Sequence, residues 1–518
     1  MKNLLKRAAV FTTVLALAGC SSSGSNDGNT DPNTTTADKP FNVVLTTAPV
    51  GFSPLTTNDA PSTYVNAQIY ETLYRRSMDG SSYEPLLAKS EPDCDEAGTT
   101  CTIELQSGVT FHDGTPFNAD AVKYTIERIK DPNYGAARAS IASSIEEVNV
   151  LDDTHVELKT SYPDGVLIAK LAHANSAIIS PTADQAQDLM TQPVGTGPYQ
   201  FVSAISGSEV KLTRYDGYWG EKPEIKDVTM TVIAETSTAI SRLETGEADF
   251  LPRVPVNQMN RVKNIANVES VAESSSAITY LALRNNSSVN PKMADLNLRK
   301  AIVMAYDPDG YIASVDGYAS YSRSIVGPTL FGYTSDAETY GYGYDLEAAK
   351  KLVEEGGYAD EPIVFLINNR PETIALAEYI QSNLKAAGLN NVTIESLEWA
   401  AYLSETQQDN RYDITVLTWS NVTGDGTEML DPNFHSVNSS KRVRYDNAEF
   451  DALVDASKQT LDSADRTAAI SAANKMILDD AVAATLYNQY QAYAFNAAYT
   501  NVEMDAGGVF YVQNFKLK

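Results

Sequence analysis

Residues 362–418 constrain the fold more than any other stretch, because they switch repeatedly between two hydrophobic periods. Residues 362–367 (PIVFLI) form a short β-branched run, and residues 372–387 follow as a helical stretch that stops at Gly388. Residues 392–397 read as a second strand, 400–408 as a short helix and 413–418 as a third strand. Alternation of this kind predicts a parallel sheet flanked by helices. Such sheets bind ligands beyond the carboxyl ends of their strands. Trp419 and the residues after it therefore occupy a candidate ligand position.

The rest of the chain supports an α/β fold. Short runs at 41–46, 101–106, 155–159, 209–214, 228–233 and 278–284 have strand composition and turn residues at their ends. Asn118 is placed to cap a helix whose inward stripe is Val122, Ile126 and Ile129, closed by Asp131-Pro132. Asp345 caps another, with Leu346, Ala349, Leu352 and Val353 inward and Gly356-Gly357 as its stop. Residues 447–480 read as two consecutive helices and 487–496 as a last strand, and no internal repeat is evident. The roughly 480 residues expected to be ordered are too many for one core, so two or three lobes are expected.

The N-terminus points to export. Lys2, Lys6 and Arg7 precede an apolar core at 8–18 (AAVFTTVLALA). That core is too short to span a bilayer and fits a signal peptide. Leu17-Ala18-Gly19-Cys20 resembles a bacterial lipobox, which makes Cys20 the lipidated (palmitate-type) N-terminus; the plainer reading is a secretory signal with a chance cysteine. Residues 21–40 are almost wholly polar and are expected to be a flexible tether. No later run of 18 or more apolar residues occurs, so the remainder is expected to be soluble. The formal charge is −28, which argues against nucleic acid as a partner and against a basic membrane patch. The 29 tyrosines suit a wet, adaptable binding surface, or simply a Tyr-rich exterior.

Cys94 and Cys101 enclose six residues that include Asp95, Glu96 and Gly98, a hairpin composition. A disulfide across that hairpin is the preferred reading, since no nearby Cys or His completes a metal site.

Several segments together resemble the family 5 extracellular solute-binding proteins, the peptide- and nickel-binding lipoproteins of ABC importers. They are 69–74 (IYETLY), 109–117 (VTFHDGTPF) with 119–122 (ADAV), 194–199 (VGTGPY), 215–223 (YDGYWGEKP), 298–302 (LRKAI) with Tyr306-Asp307, and Tyr344-Asp345 through Gly357-Tyr358. The resemblance implies a periplasmic-binding-protein-like two-lobed clamp, type II, with an additional third domain. Lobe I would comprise 41–60, 193–278 and 485–518, the extra domain 61–192 and lobe III 279–484. It further implies a monomer without a cofactor, not an enzyme. Such a protein captures small peptides between its lobes by domain closure and delivers them to an ABC permease from the extracytoplasmic face of the membrane. Rival readings are the same clamp for a nickel chelate, heme, an opine or a sugar, and, in a different class, a lipid-anchored hydrolase or signalling receptor.

Within that frame His112-Asp113-Gly114 reads as a tight turn, and Gly195-Thr196-Gly197, followed at once by Pro198, as a backbone corner. The four histidines, His112, His155, His173 and His435, form no metal-binding pair, and no G-x-S-x-G elbow is present. His435 is a surface histidine or a contact for a metal chelate. The dipeptide and oligopeptide branches place an ammonium-binding aspartate three residues after a tryptophan, where this chain has Val422. The run from Trp419 through Thr423, Gly424 and Asp425, with Leu430, Pro432 and Phe434, is closer to the glutathione-binding branch. Asp425 is then the candidate ammonium partner, or a solvated turn residue, with Glu428 next in line. Arg370, before Pro371, is the candidate for the ligand carboxylate, to which a planar guanidinium is suited. Trp419 and Tyr280 are the candidate aromatic cover.

Changing Cys20 to Ala should move the protein from the membrane to the soluble fraction on cell fractionation. A mutant that stays with the membranes overturns lipid anchoring as the sole attachment.

Overall fold

The computed structural model describes residues 39–408, 411–440 and 442–518; the leader, Cys20 and most of the tether lie outside the described residues. The alternating segment forms the parallel sheet its sequence predicts. Ile363–Asn368 pairs in parallel with Val392–Leu397 on one side and with Ile414–Ser420 on the other. Helices Pro371–Ala386 and Trp399–Glu405 make the crossovers.

Ile414–Ser420 then pairs antiparallel with a 16-residue strand, Val268–Leu283, which runs antiparallel to the 14-residue strand Ala483–Asn496. These two long strands carry the sheet into the other half of the molecule. Beyond them it continues through Phe250–Leu251, Phe41–Leu45, Asp227–Val232, Glu209–Arg214 and Tyr199–Ile205. The register of the long pair shifts between Ser274 and Ile278. Sequence composition predicts only the last third of the first long strand, because its opening residues Glu269, Ser270, Glu273, Ser274 and Ser275 carry no apolar alternation.

Period-two alternation assigns each face of the sheet to a different core. Leu281 and Leu283 pack into one cluster with Ile302, Phe365 and Ile414, while Ile278, Tyr280 and Ala282 pack into another with Phe434, Phe450 and Ile470. In the other half Phe41, Val43 and Leu45 face one core, and Val44 faces the small cluster around Ile240 and Leu243.

A separate four-stranded antiparallel sheet is built from Asp93–Cys94, Thr100–Glu104, His155–Thr160 and Ile145–Asp152. Helix Ala119–Lys130 packs on it, and Asn118 caps that helix by accepting from the Ala121 N–H. Val122, Ile126 and Ile129 are buried as their spacing predicts. Asp345 likewise accepts from Ala348 N–H, and Gly357 ends that helix at φ 66°.

The two motifs read as backbone features are backbone features. Gly114 closes a turn by donating to the Phe111 carbonyl at 2.9 Å. His112 is half-buried with Nε2 2.9 Å from the Gly197 carbonyl, and desolvation lowers its pKa to about 4, so the ring is neutral at physiological pH. A Cβ on Gly195 would lie 2.1 Å from the Ile69 carbonyl oxygen, and one on Gly197 2.7 Å from it. Only glycine lets those chains meet.

Cys94 and Cys101 face each other across the hairpin and are disulfide-bonded. The closed loop is short, so chain-entropy arguments assign the bond about 2 kcal/mol. Replacing both cysteines with serine should lower the unfolding free energy by that order in denaturant titrations. Adding reductant to the native protein should reproduce the loss, and no change in either experiment refutes the bond's contribution.

Candidate ligand-binding site

A cavity of about 450 Å³ lies between the two halves of the molecule. Its walls are helix Ala60–Ile69, the residues just after it, segment 172–177 and loop 505–513, with Ser420 and Val422 contributed from across the cleft. Polar side chains lock these pieces together. Asp59 caps the helix through Ser62 N–H. Gln68 donates to the Phe510 carbonyl at 2.8 Å and accepts from Val512 N–H at 2.9 Å. Asn175 donates to the carbonyls of Pro54 and Thr57.

Charge on the wall is balanced: the carboxylates of Asp59, Glu71 and Asp505 face the same space as the guanidiniums of Arg75, Arg76 and Arg138. Glu71 accepts hydrogen bonds from Thr196 Oγ1 (2.8 Å), Tyr218 Oη (2.8 Å) and Trp219 Nε1 (2.9 Å). Three segments far apart in sequence thus meet at one carboxylate. Desolvation nevertheless pushes Glu71 up to about 7. His173 accepts from Asn175 N–H at Nδ1, which places its proton on Nε2. Burial lowers that histidine to about 3. Its Nε2, with Asn66 Oδ1, Arg76 Nη1 and Gln513 Oε1, is buried on the cavity-lining residues without a protein partner. Few buried polar atoms in folded proteins lack a partner, and these four sit on residues that form the cavity wall.

The structure moves most of the sequence-derived candidates away from this space. Asp425 is 1 % exposed; its Oδ2 accepts from Arg466 Nη2 at 2.6 Å and its Oδ1 caps helix Gly426–Phe434 through Thr427 N–H. It is a buried cap and ion-pair partner, neither a solvated turn residue nor a free carboxylate for an ammonium ion. Tyr280 is fully buried and donates to Asn433 Oδ1, so it belongs to the core and does not cover a ligand. Arg370 is exposed, stacks on the Trp399 ring at 4.5 Å and does not line the cavity. Trp419 is half-buried against the core cluster around Tyr280. His435 is not a surface residue: it is buried, with Nδ1 accepting from Val437 N–H and Asn438 N–H. No cluster of His, Cys, Asp or Glu suited to a metal ion occurs among the described residues.

Thr423 and Gly424 do stand at the cleft, in contact with the opposite half. The Thr423 carbonyl accepts from Tyr83 Oη, and a Cβ on Gly424 would lie 2.3 Å from Arg76 Nε. Arg76 also donates to the Thr329 carbonyl at 2.8 Å, and Arg138 reaches Glu428 at 3.4 Å. Glu428 in turn accepts from the N–H and hydroxyl of Thr423. This loop fastens one half to the other, and only Ser420 and Val422 of it reach the cavity.

The chain matches the model for "Bacterial extracellular solute-binding proteins, family 5 Middle" over residues 82–441. It belongs to that family. It is 27 % identical over 441 residues to the glutathione-binding protein GsiB of Shigella flexneri, covering 82 % of this chain and 84 % of that one. It is 25 % identical over 482 residues to heme-binding protein A of Haemophilus influenzae, covering 86 % of each. Its fold superposes on the ABC transporter-associated periplasmic binding protein DppA of Helicobacter pylori, in complex with the peptide STSA, with a TM-score of 0.74 at 23 % identity, over 92 % of this chain and 98 % of that one. The family-5 clamp is therefore the fold, and the chain is a solute-binding protein of that family. Among the described residues no helix is long and apolar enough to cross a membrane.

Cavity residues that sequence reasoning missed are Asp59, Arg75, Arg76, Arg138, His173 and Asp505; Glu71 was visible only as part of a motif. Two outcomes follow. Asp425→Ala leaves Arg466 buried without its carboxylate and should cost about 3 kcal/mol of stability. The same change should leave ligand affinity of the folded protein within twofold, as calorimetry would show. Glu71 has a folded pKa above its unfolded value, so the folded state holds the extra proton between pH 4.5 and about 7 and loses stability as pH rises through that window. Glu71→Gln should remove this slope from a plot of unfolding free energy against pH. An unchanged slope refutes the assignment.

Proposed function

We propose that this family-5 protein captures short peptides, and that the carrying observation is the charge-balanced cavity at the meeting of the halves. A peptide backbone with charged ends supplies donors, acceptors and both signs of charge to such a wall. A strongly apolar solute would strip water from a wall that carries three carboxylates, three guanidiniums and the polar atoms Asn66 Oδ1 and Gln513 Oε1 while supplying no hydrogen bond in return, which is costly in a desolvated site. The similarity to a glutathione-binding protein and the shared fold with a peptide-bound one support the same reading.

The cycle is capture by closure. The ligand enters between lobe I (41–60, 193–278 and 485–518) and lobe III (279–484), with 61–192 forming the added wall. Closure seats Thr423, Gly424 and Glu428 against Tyr83, Arg76 and Arg138, and the joined surface is what a permease meets. The protein works as a monomer, without catalytic chemistry, held at the extracytoplasmic face by the lipid on Cys20.

Native mass spectrometry of the full-length protein, followed by denaturation to release its ligand, tests this. Short peptides are expected as bound mass. A stoichiometric metal chelate or tetrapyrrole in their place would sink the peptide reading.

A further inference from the structure

The part of the molecule that carries the four-stranded sheet also meets lobe III at a place away from the cavity. An α-helix leaves its last carbonyls without partners of its own. At the end of helix Ala448–Gln459 the Ser457 carbonyl accepts from Arg466 Nε at 2.8 Å, and the Lys458 carbonyl accepts from Gly165 N–H at 2.7 Å. Arg466 lies on the next helix of the same lobe, Ser463–Asp479. Gly165 does not belong to that lobe; it lies in the loop after strand His155–Thr160 of the four-stranded sheet. One carbonyl of a lobe III helix is thus capped from the opposing domain.

The approach is closer than any side chain allows. A Cβ on Gly165 would lie 2.1 Å from the Thr460 carbonyl oxygen and 2.8 Å from Cδ and Nε of Arg466. Arg466 cannot swing aside freely, because it is buried, its Nη2 donates to Asp425 and its guanidinium stacks on the Phe331 ring at 4.6 Å. Gly165 is not at positive φ, so alanine suits its own backbone and collides only with atoms of lobe III. The loop is fixed from its own side. Asp164 is buried, its Oδ2 accepts from Lys170 Nζ at 2.6 Å and from Ser144 Oγ, and its Oδ1 accepts from Val166 N–H. Beside it stands the hairpin closed by Cys94 and Cys101. A Cβ on its tip residue Gly98 would lie 2.7 Å from Leu461 Cδ1 and 3.1 Å from Pro163 Cβ. Neither Gly165, Gly98, Pro163 nor Lys458, Thr460, Leu461 lines the cavity.

We propose that loop 163–165 and the disulfide-closed hairpin tip form a foot on which lobe III seats when the clamp closes, with Gly165 the positioning residue that sets how far closure runs. This rests on the capture-by-closure reading above and places a determinant of ligand retention where no ligand reaches. Opening hands the Lys458 carbonyl and the Leu461 side chain to water, a small and reversible loss. Apparent affinity scales with the fraction of protein able to close, so a foot that blocks seating weakens every ligand alike.

The test is small-angle X-ray scattering of the full chain as purified, alongside calorimetry and stopped-flow release with Ala-Ala-Ala, on native protein, Gly165→Ala and Leu461→Ser. Gly165→Ala should give a larger radius of gyration than native with an unchanged thermal melt. It should weaken Ala-Ala-Ala by roughly tenfold, chiefly through faster release. Leu461→Ser should move both readings the same way by less, and it decides alone should Gly165→Ala fail to fold. Scattering curves that superpose on the native curve overturn the inference and leave peptide capture standing. Native protein that does not bind Ala-Ala-Ala counts against the peptide reading, while the scattering comparison still decides the role of the foot.

Discussion

The main-chain pairing of Val268–Leu283 with Ala483–Asn496 is the constraint on which the rest of the molecule depends. Each strand contributes residues to both halves, so one hydrogen-bonded ladder sets the position of two cores at once. Alternate side chains from the first of these strands enter different clusters, which forbids a slip of one residue without exchanging the two cores. The shift in register between Ser274 and Ile278 lies where the ladder passes from one half to the other. The backbone there is engaged sideways instead: Ser276 donates to the Ala506 carbonyl and Ser275 Oγ to the Gln489 carbonyl. The crossing is thus both the structural spine and the seat of a cavity-wall loop.

Glu71 organises the other half. Its carboxylate gathers Thr196, Tyr218 and Trp219, and the glycine corner at 195–197 presses directly on Ile69. Segments that read in sequence as independent signatures are therefore parts of one packed junction beside the cavity. Their role is to place the wall, and the ligand meets the residues that this junction positions.

The loop after Trp419 shows why position along a strand does not by itself assign function. It leaves the carboxyl end of a parallel strand, as expected for a binding loop. Yet Gly424 and Gly426 bond on either side of Phe331, and Asp425 turns inward to Arg466. An aspartate just before a helix has two competing uses, capping the helix and facing a ligand. Here the cap and a buried guanidinium claim both oxygens.

The sequence by itself determined the elements whose cause is local. The parallel βαβαβ segment, the Asn118 and Asp345 caps, the Gly357 stop, the His112 turn and the Cys94–Cys101 hairpin all follow from periodicity, capping or backbone freedom within a few residues. Ordered motifs likewise identified the family. Tertiary structure decided the cavity. Asp59, Arg75, Arg138, His173 and Asp505 come from separate stretches, and which carboxylate is ion-paired depends on which cation folds against it. Asp425 stands between two glycines, and Asp505 stands two residues before a glycine pair. Only the placement of Arg466 over the first, with no such partner for the second among the described residues, tells them apart.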